Sequence, residues 1–368
     1  MPVGINSPAR NLFLLGSSGQ AAVTNFFKTI DQSAGTDGVY LPDEIKYNFA
    51  DQKFVLAGSA SDSNTQGFGW FEKRDYNTET GGSTADFENR VISTQSGDDT
   101  FLRAMELDSN DNLIVVGANG DIPWIAKYSN AGVLDWQSTT NSANVQYYDV
   151  ASDSNGQYYA CGHSPIQQAD AVAFVEKFDA SGNPGWGKSA FMFGSDVRLK
   201  VIECNSRGEV VAGGRLEDEA RTKAYLVKID TNTGEVLWDR TIESLREDSS
   251  GNPEDTFVKD VYIDSIDQIY VVGRITTIGT TNRSFIIKYS PEGNIIWQKE
   301  TEQDIEYYQV KSDGETEQTI VFGLYEDTVA GSQGGVLSKY SKDGSLLWRR
   351  TLFSSNNNSS TFGVKGSL

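Results

Sequence analysis

Short β-prone runs separated by polar turns make up almost the whole chain. The stretch "SFIIKYSPEGNIIWQKE", residues 284–300, is one example, with apolar runs on either side of "SPEGN". Glycine and asparagine supply the backbone conformations of a tight turn, and the flanking runs favour strands, so the pattern predicts a β-hairpin. No stretch has a 3.6-residue period of useful length. We therefore expect an all-β chain.

The same hairpin returns at a constant spacing. Further copies read "IAKYSNAGVLDW", "VEKFDASGNPGW", "LVKIDTNTGEVLW" and "LSKYSKDGSLLW", and each has a glycine four residues before its tryptophan and a lysine nine or ten before it. The tryptophans are Trp136, Trp186, Trp238, Trp297 and Trp348. Aromatic residues at a fixed position of a repeat mostly pack between neighbouring repeats, so we expect this role rather than a stacking platform for sugars or bases.

A second motif precedes every hairpin. It is a polar turn followed by a strand that ends in glycine, as in "DSNDNLIVVG" and "DSIDQIYVVG", and a further strand such as "DTFLRAMELDS" comes before it. Each unit therefore has four strands, A to D in chain order, joined as an antiparallel meander. Two earlier copies are weaker: they carry Gly16 with Lys28 and Gly58 with Lys73, without a tryptophan at the expected spacing.

These motifs divide the chain into seven units, at 9–42, 43–98, 99–143, 144–194, 195–254, 255–304 and 305–353. Four-stranded units of about fifty residues are typical of β-propellers. The first unit begins at its strand B, whereas the chain end, "STFGVKGSL" at 360–368, matches the opening of strand A in "DTFVKDVYIDS". The prediction is one all-β domain over 1–368, a seven-bladed β-propeller of four-stranded antiparallel blades. Its C-terminal strand 360–368 closes the ring, so that no sheet edge is left exposed.

The turn before "IYVVG", the "KY" strand and the "G-x-x-x-W" ending resemble the β-propeller repeat family of bacterial surface proteins and bacteriophage structural proteins. The resemblance covers nearly the whole chain and is strongest from Thr100 to Phe353. It implies a non-enzymatic structural or recognition module of a bacteriophage virion, in a tail, baseplate or fibre. The partners so implied are other virion proteins or a host-surface receptor or glycan. Since such scaffolds carry varied loops, the resemblance indicates architecture more directly than function.

Charge and the chain start bear on partners and location. The chain has 31 Lys and Arg against 51 Asp and Glu, a net charge of -20, which repels nucleic-acid phosphates and anionic bilayers. The start "MPVGINSPARNLFLLGSSGQ" lacks a basic region, and no apolar run has membrane-spanning length. We expect no nucleic-acid partner, no membrane insertion and no signal peptide, with synthesis in a host cytoplasm and final location in the virion. A cytoplasmic or surface bacterial protein-interaction scaffold is the alternative.

Candidate chemistry is sparse. Cys161 and Cys204 form no disulfide framework or zinc motif, and His163 beside Cys161 lacks an orienting third group. The "DSNDN" turns lack the closing glutamate of an EF-hand-type calcium loop, and only one unit, "DTNTGEVLW", matches the quinoprotein dehydrogenase repeat. We therefore expect no enzyme activity, no cofactor and no metal. The open alternative is a polysaccharide-acting hydrolase or lyase with carboxylates around a central channel.

Loop variation indicates a binding face. The A–B and C–D turns are short and uniform and share one rim, whereas the B–C and D–A connections differ in every unit and share the other rim, which we call the variable rim. Function usually lies on the variable loops of a rigid scaffold, where exposed arginine and aromatic residues dominate binding energy. The candidate binding residues on this rim are Trp124, Arg221, Arg246, Arg283 and Tyr325.

Overall fold

The computed structural model describes residues 11–13, 27–29, 41–48, 53–61, 67–76, 83–91 and, apart from short gaps, 100–353. All regular secondary structure in these residues is β-strand. Six segments each form a four-stranded antiparallel sheet whose strands lie side by side in the order A, B, C, D. We number these sheets 2 to 7 after the repeat unit that supplies them.

The first three of these sheets come from the N-terminal part of the described chain. Sheet 2 consists of β3 (Leu41–Asn48), β4 (Lys53–Ser61), β5 (Gly67–Tyr76) and β6 (Ser83–Val91). Sheet 3 consists of β7 (Thr100–Leu107), β8 (Leu113–Asn119), β9 (Ile122–Tyr128) and β10 (Leu134–Thr139). Sheet 4 consists of β11 (Gln146–Ser152), β12 (Tyr158–His163), β13 (Ala173–Phe178) and β14 (Pro184–Ser189).

The other three sheets repeat this plan. Sheet 5 consists of β15 (Asp196–Cys204), β16 (Glu209–Asp218), β17 (Arg221–Asp230) and β18 (Val236–Ile242). Sheet 6 consists of β19 (Asp255–Ile263), β20 (Ile269–Thr276), β21 (Arg283–Tyr289) and β22 (Ile295–Glu300). Sheet 7 consists of β23 (Ile305–Asp313), β24 (Gln318–Asp327), β25 (Ser332–Tyr340) and β26 (Leu346–Phe353).

The first unit differs from the predicted four-stranded blade. Its described strands, β1 (Asn11–Phe13) and β2 (Phe27–Thr29), form a two-stranded antiparallel sheet with Leu12 opposite Lys28. In sheets 2 to 7 the repeated lysine lies opposite the residue three before the strand-B glycine. In unit 1 that residue is Phe13, so the pairing of Lys28 with Leu12 differs by one residue from the register of the other sheets. The described chain thus has six four-stranded sheets rather than seven, and the predicted closing strand 360–368 lies outside the described residues.

A separate hydrophobic core lies between each pair of consecutive sheets from 2 to 7. The core between sheets 5 and 6, for example, contains Leu226, Val258 and Ile287. Strands B and C are buried on both faces, as in β8 and β12, because each sheet packs against a neighbour on either side. This is why strand B reads as a continuous apolar run, such as "LIVVG", instead of an alternating one.

The four strands of a sheet run from an inner to an outer edge. The A strands of neighbouring sheets contact one another along the series β3, β7, β11, β15, β19 and β23. The D strands alternate between exposed and half-buried side chains in β10 and in most of β18. Strand A is therefore the inner edge and strand D the outer edge.

The repeated tryptophan and lysine join each sheet to the next. In sheet 5, Lys228 lies opposite Trp238 across the C–D hairpin, and both donate to the backbone carbonyl of Pro291 in the C–D turn of sheet 6, at 2.8 and 3.2 Å. Other indole Nε1 donors make the equivalent bond: Trp136 to Ala180, Trp186 to Thr231 and Trp297 to Lys342. Four of the five tryptophans of the row therefore pack between repeats, as predicted, whereas Trp348 is 38% exposed in the described part of the chain.

The strand-B glycine is required by a bulge in strand A. Each A strand of sheets 2 to 7 has a register shift at the same place, and the extra residues are Asp43, Arg103, Tyr148, Lys200, Lys259 and Tyr308. The bulge brings a strand-A carbonyl close to the glycine: a Cβ on Gly214 would lie 1.9 Å from the carbonyl oxygen of Arg198. Only a residue without a side chain fits there.

The substitution Gly214→Ala should therefore lower the free energy of unfolding by about 2–4 kcal/mol, because the bulged strand must move to admit the methyl group. The control is Gly187→Ala on strand D of sheet 4, where a Cβ would meet nothing within 4 Å. We expect the control to change stability by less than about 0.5 kcal/mol. Denaturant titration followed by fluorescence measures both, and equal stability of the two variants would contradict the role given to the bulge.

Candidate functional site

The candidate binding residues all lie near strand ends at the variable rim. Arg221 and Arg283 open strand C of sheets 5 and 6, and Trp124 lies near the start of strand C of sheet 3. Arg246 lies in the connection that follows β18, and Tyr325 lies near the end of β24. Their exposure and contacts differ greatly, however, and divide them into supporting and accessible residues.

Trp124 is buried, with 2% of its surface exposed, and the expectation of an exposed aromatic is wrong. Its ring belongs to the core between sheets 2 and 3, together with Phe71 and Leu102. It lies opposite Gly117 on strand B, which is covered on both faces. The short loop before Trp124 gave no sign of this burial, because the covering side chains come from another repeat.

Arg283 is also buried, at 5% exposure, so it is a supporting residue rather than a contact residue. Its guanidinium forms an ion pair with the buried carboxylate of Glu254. Burial lowers the pKa of Arg283, and the nearby positive charge of Arg246 lowers it further. The pair ties the connection between sheets 5 and 6 to strand C of sheet 6.

Arg246 is exposed, and it is held by the same network. Its Nε lies 3.8 Å from Oε2 of Glu300, at the end of β22. The Ser244 hydroxyl lies 3.4 Å from Oε2 of Glu254 and 3.3 Å from Oε1 of Glu300, and the backbone N–H of Leu245 donates to Glu300. The side chain of Leu245 is 64% exposed. The Leu245–Arg246 pair is thus an apolar and a cationic side chain presented on an anchored backbone.

The remaining two candidates belong to other parts of the rim. Arg221 is half-buried beside the B–C turn of sheet 5, where it lies opposite Asp218. Tyr325 is half-buried and packs against the core between sheets 6 and 7. The structure therefore brings Arg246 and Arg283 into one network, whereas the sequence indicated only two separate loop residues.

The inner strands carry a group of charges that sequence reasoning did not single out. Burial raises the pKa of Glu203, on β15, to about 7. Positive charge on Lys311 and Lys46 opposes this rise, whereas negative charge on Glu106 and Asp260 adds to it. These four residues lie on the A strands of sheets 7, 2, 3 and 6, so the A strands of five sheets face a common space. Lys46 also bonds Glu106 directly, with Nζ 2.7 Å from Oε2.

A carboxyl group with a pKa near 7 can act as a general acid or base. The described residues contain no group of three or more histidine, cysteine, aspartate or glutamate side chains that could hold a metal ion. The aspartates of the A–B turns instead cap their own backbone: Oδ1 of Asp108 accepts from the N–H groups of Asn110 and Asn112 at 2.9 Å. This arrangement is an Asx turn, which accounts for the repeated aspartate without a metal ion.

Cys161 and His163 form no nucleophile–base pair in the structure. Burial raises the pKa of the Cys161 thiol well above its ordinary value, which opposes formation of the reactive thiolate. The His163 ring stacks on Tyr148, with centroids 4.5 Å apart. The part of the chain that the structure describes also contains no helix of the length and hydrophobicity needed to span a bilayer.

No protein-family model matches this sequence, and a search of curated proteins found no match. Solved structures with a similar fold include hydrazine synthase of Kuenenia stuttgartiensis, at 13% identity and a TM-score of 0.52, covering 88% of this chain and 81% of that chain. Sqt1 from Chaetomium thermophilum matches at 13% and 0.50, covering 86% and 72%. A catalytically inactive virginiamycin B lyase from Staphylococcus aureus with quinupristin matches at 10% and 0.52, covering 90% of each chain. These likenesses show a propeller-like all-β fold.

The raised pKa of Glu203 predicts a pH-dependent stability. The folded state binds this proton more tightly than the unfolded state, so the free energy of unfolding should fall as pH rises from about 4.5 to about 7. Glu203→Gln removes the titrating group, and its stability should decline less than that of the parent over this range. Denaturant titrations at pH 5, 6, 7 and 8 measure the difference. The control Glu235→Gln removes an exposed carboxyl from an outer turn, and an identical effect of both substitutions would contradict the prediction.

Proposed function

We propose that this protein is a non-enzymatic protein-interaction module that binds its partner with the variable rim. The observation that carries the proposal is the Leu245–Arg246 pair. Its backbone is anchored by Glu300 and Ser244, while Leu245 and the side chain of Arg246 are 64% and 52% exposed. An ordered backbone lowers the entropy cost of binding, and arginine beside an apolar residue is a common binding hot spot.

One rim is used for contacts between sheets, and the other is left available for a binding partner. The rim of the C–D turns is occupied by contacts between sheets, such as the bonds from Lys228 and Trp238 to Pro291. The variable rim has connections of different length and composition in every unit. A partner can therefore be recognised there without disturbing the contacts that join the sheets.

The setting that we propose is a bacteriophage particle, in which other virion proteins or a host-surface molecule would be the partner. Support comes from the resemblance of the repeat to those of bacteriophage structural and bacterial surface proteins. A bacterial interaction scaffold would use the same rim in the same way. Mass spectrometry of purified particles separates the two settings, because a virion component must be present in stoichiometric amount.

A polysaccharide-acting enzyme is the second candidate, and Glu203 is the observation that favours it. A carboxyl with a pKa of about 7 among charged side chains of the inner strands has a property of a general acid. An assay for new reducing ends on host polysaccharides tests this function. Turnover that is lost in Glu203→Gln would establish the enzyme, and our proposal expects no turnover by either protein.

We further propose that seven sheets close into a ring, with strand 360–368 completing the sheet of unit 1. Lys46 of sheet 2 and Lys311 of sheet 7 both act on Glu203, which supports an arrangement in which the ends of the series approach one another. Trp348 of sheet 7 occupies the station from which Trp297 bonds the next C–D turn. In a closed ring the next turn is that of unit 1.

Closure predicts that Trp348→Phe destabilises the protein about as much as Trp297→Phe does, by about 1 kcal/mol for one lost hydrogen bond. In a protein that lacks 360–368, Trp348→Phe should no longer change the free energy of unfolding, because unit 1 is no longer held in place. Denaturant titrations of the parent, the two single variants, the deletion and the deletion combined with Trp348→Phe measure these effects. A Trp348→Phe variant as stable as the parent would contradict a closed ring.

The double substitution Leu245→Ser with Arg246→Glu should reduce partner binding at least tenfold, because it removes the apolar contact and reverses the charge. The control is Val236→Ser with Leu237→Ser, which changes two exposed apolar residues of the outer strand D in the same sheet. Binding of immobilised protein to components of disrupted particles, identified by mass spectrometry, provides the measurement. Loss of binding in the control alone would place the interface on the outer edge and overturn our assignment.

A further inference from the structure

The bulge residues of strand A form two clusters of cations and aromatic rings on the inner edge. In the first cluster, Lys200 of sheet 5 and Arg103 of sheet 3 both approach the ring of Tyr148 in sheet 4, at 3.2 and 5.4 Å from its centroid. In the second, Lys259 of sheet 6 lies 5.0 Å from the ring centroid of Tyr308 in sheet 7. A bulge re-aims a side chain, and here it collects side chains from different sheets.

The two clusters differ in their charge balance. Lys259 is neutralised by Glu306, with Nζ 3.1 Å from Oε1. Arg103 and Lys200 are both exposed, and among the described residues their close contacts are with aromatic rings and with no carboxylate. Two cations without a counter-charge are notable in a chain whose net charge is -20.

The charges that surround the first cluster do not cancel it. Arg198 bonds Asp196, and Arg215 bonds Glu217 with Nη2 2.9 Å from Oε1. The carboxylate of Asp149 on β11 accepts from the backbone N–H groups of Val150 and Ile202. Asp196 and Glu217 thus already have cationic partners, and Asp149 is held by neutral backbone N–H groups.

The Lys200 ammonium group lies over the Tyr148 ring, 3.2 Å from its centroid, although the residue as a whole is exposed. Partial desolvation lowers the pKa of Lys200 to about 7, and the positive charges of Arg103, Arg215 and Arg198 lower it further. The buried thiol of Cys161 has a small opposing effect. His163 covers the Tyr148 ring by stacking, so that the ring is fixed beneath the two cations. A bound anion would supply the charge that these groups lack.

We propose that Arg103 and Lys200, positioned by Tyr148, bind an oxyanion group of a ligand, a carboxylate, sulfate or phosphate, at the inner edge of sheets 3 to 5. Arg103 offers a planar fork of donors for such a group, and Lys200 offers a point charge. The site does not rest on the proposed function, since either a protein partner or an acidic glycan carries oxyanions. The site lies about midway along the A strands, between the two rims.

The first experiment titrates the protein with sodium sulfate, sodium phosphate and sodium acetate in separate isothermal calorimetry runs, with ionic strength held constant by sodium chloride. We expect saturable binding of at least one anion in the parent and at least a tenfold weaker affinity in Arg103→Gln with Lys200→Met. The matched control Lys259→Met removes the same charge from a bulge position whose lysine is already neutralised, and it should bind like the parent. A short glutamate-rich peptide and a sulfated oligosaccharide then distinguish the two sources of the anion.

A chemical readout keeps the test decisive where affinity is low or the double variant folds poorly. A lysine with a pKa of about 7 reacts at pH 7.5 with an acylating reagent faster than ordinary lysines do, and mass spectrometry measures its rate by site. Sulfate or phosphate should slow acylation of Lys200 at least threefold in the parent and should have a smaller effect in the single variant Arg103→Gln. Acylation that is unaffected by every anion, or equal anion binding in the parent and the double variant, would overturn the proposal.

Discussion

The stacking of the sheets depends on a backbone carbonyl in each C–D turn that accepts hydrogen bonds from the preceding sheet. The carbonyl of Thr231 accepts from Lys177 and Trp186, and that of Pro291 accepts from Lys228 and Trp238. A buried ammonium group such as that of Lys228 is costly unless it is hydrogen-bonded; Glu209 of its own sheet lies 2.6 Å away, and the Pro291 carbonyl of the next sheet adds a second partner. The same contact therefore sets both the spacing and the orientation of neighbouring sheets.

This contact occupies one rim and leaves the other to different uses. At the turn rim, a Cβ on Gly293 would lie 2.9 Å from the Trp238 ring, so even the turn residue is constrained by the neighbouring sheet. At the variable rim, the connection after β18 is held by side chains, through Glu254 and Glu300. A loop held by such side chains can differ from sheet to sheet, because these contacts do not involve the repeated lysine and tryptophan. The surface available for recognition is thus separated from the contacts that maintain the fold.

The inner edge follows from the same stacking. Once the sheets are joined in series, their A strands approach one another, and charges from distant parts of the chain come to share one space. Glu203 responds to Lys46 and Lys311, which lie in sheets 2 and 7. The bulges add to this effect, since they direct Arg103 and Lys200 toward the same tyrosine. Ionisable groups with altered pKa values therefore collect where the sheets converge, as they commonly do at binding and catalytic sites.

The sequence by itself determined the features that rest on hydrogen bonds between adjacent strands. The order of strands A to D, the glycine turns and the structural role of the tryptophan row follow from the spacing of residues within one unit, because a hairpin is a local structure. Only the tertiary structure decided the features that depend on packing between units. In the sequence, Trp124 and Arg283 resemble Arg246, because all three lie at or beside loops. The burial of Trp124 and Arg283 is nevertheless set by side chains from other parts of the chain. The bulge at Lys200 and the charges around Glu203 likewise could not be predicted from the sequence, because no local pattern specifies which distant strands will lie beside them.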